Sequence, residues 1–138
     1  MPLFPSTEWM VAFCDELRAH PDAEKVAAGL DGVYRFVVEP EGPLAVTHRY
    51  DVAIRPTGAG AQVDLLDGEG HEAPRLTLTA DYQRWQQLIR RELDVGVAVV
   101  LRRLKVSGDL TSLRGSLSSA QPLVHALAAV DTTWLEDA

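Results

Sequence analysis

The sequence predicts an α+β fold: a five-stranded antiparallel sheet with one covered face and one open face, preceded and followed by helices. Three observations carry this. Apolar residues recur with a helical period over residues 6–30, switch to strict alternation over residues 32–79, and return to the helical period at Asp81 and again beyond Gly108. The alternating stretches place apolar side chains on one side only, as in antiparallel sheets with a single buried face. At 138 residues the chain is read as one domain over residues 1–130 with a C-terminal tail at 131–138. That length can bury a core without disulfides or a structural metal.

Ser6 is the expected N-cap of a first helix, on which Trp9, Met10, Phe13, Cys14 and Leu17 share a face. After the break at His20-Pro21-Asp22, a short second helix carries Ala23, Val26, Ala27 and Leu30, with Gly29 and Gly32 marking its stop. Gly32 to Glu39 forms a strand with Tyr34, Phe36 and Val38 on one face. Beyond the turn at residues 39–43, Ala45 to Arg55 forms a second with Val46, His48, Tyr50, Val52 and Ile54 aligned. Gly58-Ala59-Gly60 turns into a third strand with Val63 and Leu65 inward. Asp67-Gly68-Glu69-Gly70 leads to a fourth with Leu76 and Leu78 inward and Thr77 and Thr79 outward.

Thr79 or Asp81 caps the next helix, whose stripe is Tyr82, Trp85, Leu88 and Ile89. Val95 to Leu101 is too short to span a bilayer and too continuous for a surface strand, so it is expected to be buried. Leu104 to Ser107 alternates as a fifth strand stopped by Gly108-Asp109. Leu110, Leu113 and Leu117 share a helical face, and a last helix opening near Pro122 carries Leu123, Val124, Leu127 and Val130. In the tail, Trp134 and Leu135 can fold back.

The net charge of −7 argues against a general nucleic-acid binder. The charge is uneven: residues 1–72 hold 13 acidic and 5 basic side chains, residues 73–138 hold 7 and 8. Arg84, Arg90, Arg91, Arg102, Arg103 and Lys105 face only Glu92 and Asp94, a local reversal that suits anionic groups. No apolar run approaches a membrane span and the first residues do not read as a leader, so a soluble cytoplasmic protein is expected.

Catalytic signatures are missing from the sequence. G-x-S-x-G does not occur, and Cys14 lies on an apolar stripe where a desolvated thiol is inert. The histidines at 20, 48, 71 and 125 form no zinc motif. Asp64, Asp67, Glu69, His71 and Glu72 lack the spacing of a calcium loop. Gly58-x-Gly60 and Gly68-x-Gly70 read as hairpin turns rather than phosphate loops. His48 and Asp51, the pair a small barrel enzyme would use, fall on opposite faces of their strand. No catalytic residue, metal or cofactor is expected.

The order of elements, together with Thr79-Ala80-Asp81-Tyr82-Gln83-Arg84-Trp85 and Leu104-Lys105-Val106-Ser107-Gly108-Asp109-Leu110, resembles the sterol carrier protein type-2 family over about residues 6–130. The resemblance implies a five-stranded, mostly antiparallel sheet with helices covering one face and enclosing an apolar tunnel for a lipid, a sterol or a fatty acyl chain. Two departures stand out. Arg102-Arg103 occupies a place where the family commonly has Gly, and the chain ends Glu136-Asp137-Ala138 rather than in a peroxisomal address. The Arg- and Ala-rich, Lys-poor usage is that expected of a bacterium with a GC-rich genome.

On this reading the protein is a non-enzymatic lipid-binding domain. The expected cavity wall is Trp85, Leu88, Ile89, Leu101, Leu104, Val106, Leu113, Leu117, Leu123 and Leu127. Arg102 and Arg103 would receive an anionic headgroup through the planar guanidinium fork. Contact with a membrane would be transient at most. The alternative is a protein-interaction module on the same fold, docking a partner or a second copy through an apolar groove.

Overall fold

The computed structural model describes residues 1–66, 73–108 and 120–137, with the side chains at 95, 96 and 120–124 outside the description. A short strand, β1 (Leu3–Phe4), leads into α1 (Thr7–Arg18). Ser6 caps this helix, its Oγ accepting the Trp9 N–H at 3.1 Å. The expected stripe of Trp9, Met10, Phe13, Cys14 and Leu17 is buried. Next comes α2 (Ala23–Leu30), burying Ala23, Val26, Ala27 and Leu30; Gly29 lies inside the helix rather than beyond it.

Four strands follow: β2 (Gly32–Glu39), β3 (His48–Pro56), β4 (Ala61–Leu66) and β5 (Leu76–Asp81). Then come α3 (Tyr82–Ile89), α4 (Val95–Val100), β6 (Lys105–Gly108), α5 (Ala120–Ala129), β7 (Thr133–Trp134) and a 3-10 turn, Leu135–Asp137. The five-stranded sheet has the order β4-β3-β2-β5-β6. All its pairings are antiparallel except β2 with β5, which is parallel. The register sets Tyr34 between Val52 and Leu76, and Phe36 between Tyr50 and Leu78. These rows form the inner face, and the helices pack over it. On the outer face Arg35 lies between Asp51 and Thr77 and holds Asp51 through two hydrogen bonds, 2.8 and 3.1 Å long.

Three expectations change. Val46 precedes β3 and is exposed. The run 95–101, expected to be buried, forms α4 and its C-cap and leaves Val97, Val100 and Leu101 at the surface, while among its described side chains Ala98 is sealed, at 0% exposure. A helix of six residues can press only one narrow side inward, so an unbroken apolar run must turn the rest outward. Finally, the residues expected as a tail fold back: β7 pairs in parallel with β1, Phe4 facing Trp134. The Trp9 indole donates to Thr132 Oγ1 at 2.9 Å, and the Tyr82 hydroxyl donates to Glu136 Oε2 at 2.7 Å. Arg90 lies over the Trp134 ring, 4.8 Å from its centroid.

Candidate functional site

The interior between sheet and helices is aromatic. Successive ring contacts run from Trp134 through Phe4, Trp9, Phe13 and Phe36 to Trp85, with centroids 4.8–6.0 Å apart. Each such pair adds about 0.5–1.5 kcal/mol beyond the area it buries. The Asp81 carboxylate caps α3 by accepting the Arg84 N–H at 2.8 Å, which turns Trp85 toward the sheet. There the indole N–H donates to the Val37 carbonyl at 2.8 Å.

Where α1, α3, α5 and the inner face meet, the packing leaves a void of about 10 Å³, lined by Phe4, Trp9, Met10, Phe13, Phe36, Val38, Tyr50, Trp85 and Leu127. This is room for about one water, whereas pockets holding drug-sized ligands measure roughly 300–1,000 Å³. A second, open groove of about 260 Å³ borders the core, lined by Ile89, Arg90, Arg91, Ala128, Val130, Asp131, Thr132 and Trp134.

The expected wall residues divide into groups. Trp85 and Leu127 are buried and meet at the void. Leu88, Ile89 and Leu104 are buried in the same hydrophobic core, and Val106 packs half-buried against it. Leu101 does not join them, because it caps the C-terminus of α4 at the surface and is 53% exposed. Leu113 and Leu117 fall outside the described residues, as does the side chain of Leu123. Of the other seven void-lining residues, Trp9, Met10, Phe13, Phe36, Val38 and Tyr50 were legible as core or strand positions but not as a wall, and Phe4 was not legible at all, since only the return of α5 and β1 brings them to one point.

Arg102 and Arg103 are exposed just beyond α4. Arg102 takes a φ of 58°, the left-handed region that glycine occupies without strain. The residues weighed for catalysis are dispersed. Cys14 is buried and burial pushes its thiol up to about 11. His48 Nδ1 lies 3.1 Å from the Tyr50 hydroxyl, while Asp51 is held by Arg35. Among the described residues no group of three His, Cys, Asp or Glu side chains is placed to hold a metal ion, and no helix is long and apolar enough to cross a membrane. The acidic loop at 67–72, with Gly68-x-Gly70, falls outside the described residues.

Residues 13–114 match the family model described as the SCP-2 sterol transfer family. Among solved structures, the conserved protein TT1886 of Thermus thermophilus superposes with a TM-score of 0.71 at 20% identity, covering 93% of this chain and 90% of that one. Sterol carrier protein 2 superposes with a TM-score of 0.71 at 20% identity, covering 91% and 98% of the two chains. The apo form of sterol carrier protein 2 from Yarrowia lipolytica does so at 0.57 and 14% identity, covering 92% and 94%. No curated protein sequence matches the chain.

Proposed function

This chain belongs to the SCP-2 sterol transfer family, and from that premise we propose that it binds a lipid, sterol or fatty acyl chain in its apolar interior without catalysing a reaction on it. The observation that carries this reading is the void where Trp85 and Leu127 meet, walled by apolar and aromatic side chains from the sheet, the N-terminal segment and three helices. A hydrocarbon body there would gain roughly 25 cal/mol per Å² of apolar surface removed from water, less the cost of ordering.

This void, among the described residues, is far smaller than an acyl chain, so a ligand entering here parts its walls. Leu88, Ile89, Leu104 and Val106 extend the apolar surface from the void. Leu101 stands outside this wall. Arg102 and Arg103, immediately before Leu104, would take an anionic headgroup left at the surface.

Native mass spectrometry of freshly purified protein tests the reading, with organic extraction to identify any released molecule. A stoichiometric lipid adduct is expected. A bare mass that persists after incubation with fatty acids, acyl-CoA and sterols overturns it, and favours the protein-interaction alternative.

A further inference from the structure

Within α4 and the residue after it, Val97, Val100 and Leu101 are 47%, 80% and 53% exposed. Half of the large exposed apolar residues in the described chain thus fall within five consecutive positions, on a helix whose inward side is sealed by Ala98. The segment around them reverses the charge of the molecule. Between residues 90 and 105 the cations are Arg90, Arg91, Arg102, Arg103 and Lys105, against Glu92 and Asp94, in a chain of net charge −7. Arg90 is engaged by the Trp134 ring, and Asp94 caps α4 by accepting the Val97 N–H at 3.1 Å.

Arg91, Arg102, Arg103 and Lys105 are exposed, and among the described residues none lies within ion-pairing distance of a carboxylate. Two of them, Arg91 and Arg102, bracket α4 with φ of 61° and 58°. Glycine is the usual residue at such positions after a helix, and an arginine there is strained. Long cationic side chains are therefore kept at both ends of an exposed apolar helix about 9 Å long.

We propose that α4 is a membrane-docking element: Val97, Val100 and Leu101 enter the boundary layer of an anionic bilayer while Arg91, Arg102, Arg103 and Lys105 engage lipid phosphates. The charge pattern selects this occupant. A second copy meeting the first across a two-fold axis would set the arginine cluster against itself. Three side chains are also a small patch beside the roughly 800 Å² per partner of a stable protein interface. An anionic surface complements both features and needs no further area from the protein. The proposal shares Arg102 and Arg103 with the headgroup contact proposed above but does not need the interior ligand, because it applies equally to the empty protein.

The test is cosedimentation of the full chain with vesicles of phosphatidylcholine alone and of phosphatidylcholine mixed with phosphatidylglycerol, at low and high salt. Wild-type protein is expected to partition onto the anionic vesicles and to be released by salt. Arg102→Gln with Arg103→Gln and Lys105→Gln should lower partitioning about 100-fold, at about 5-fold per cation. Val100→Ser with Leu101→Ser should lower it about 10-fold or more without a change in charge. Arg49→Gln, an exposed cation of β3, should leave it unchanged, and circular dichroism verifies that each variant is folded. The proposal is overturned by wild-type protein that ignores anionic vesicles, or by Arg49→Gln losing as much per charge as the α4 variants. Self-association in sedimentation velocity that the Val100→Ser variant abolishes would also overturn it, in favour of a second copy.

Discussion

Gly108 lies so close to Arg75 that a Cβ added to it would sit 2.3 Å from the Arg75 carbonyl oxygen. Its φ of +115° is also one that side-chain-bearing residues rarely adopt. Because Gly108 pairs with Leu76, this contact anchors the register that sets Val106 beside Leu78 and leads β6 out of the buried Leu104. Gly108→Ala is expected to destabilise the protein by about 3 kcal/mol or more, through backbone strain and displacement of the edge strand. Urea unfolding measures this, and an unchanged midpoint would show that the edge strand β6 is not anchored here.

Trp134 ties the C-terminal segment to the core through Phe4, Tyr82 and Arg90. Trp134→Ala is predicted to cost about 3–5 kcal/mol, the usual range for removing a large buried aromatic side chain. A loss below about 0.5 kcal/mol, the level of an ordinary surface substitution, would mean that this segment is an appendage.

Burial raises Cys14 from 9.0 to about 11. Burial, aided by the hydrogen bond to Glu136, raises Tyr82 from 10.0 to about 12. Both groups stay protonated in the folded chain at pH values where the unfolded chain releases them. Their contribution to stability is therefore whole below pH about 9 and is lost as pH rises toward 11 and 12. Two pKa units for Cys14 correspond to about 2–3 kcal/mol across that window. Denaturation midpoints measured against pH should fall from pH 9 upward, and Cys14→Ala should flatten the first part of that fall. Below pH 9, Ellman's reagent should modify Cys14 only after the chain is unfolded.

Trp9 and Trp85 line the void and Trp134 does not. A lipid lodging there should shift their fluorescence, and Trp134→Phe should keep that response. If the shift survives in a protein carrying both Trp9→Phe and Trp85→Phe, the ligand sits elsewhere.

Much of this architecture was legible locally. The stripes of α1, α2 and α3 follow from residues three or four apart, the first cap from Ser6, and the strand faces from alternation. Each depends only on neighbours within one element, so sequence suffices. The choice of Asp81 over Thr79 as the cap of α3 needed the structure. The candidate wall was less legible. Trp85 and Leu127 are seen to share a void only once α3 and α5 are packed together, and Phe4 joins them only because β7 pairs with β1.

Residue order alone was enough to establish the inward stripes of α1, α2 and α3, the inner rows of the sheet, and the reversal of charge around residues 84–105. The parallel pairing of β2 with β5, the return of Trp134 to the core and the outward face of α4 were settled only when the elements packed together. Side-chain alternation is the same in parallel and antiparallel strands, and an unbroken apolar run has no phase to say which side is covered. Those choices rest on contacts between residues far apart in the chain, where periodicity carries no information.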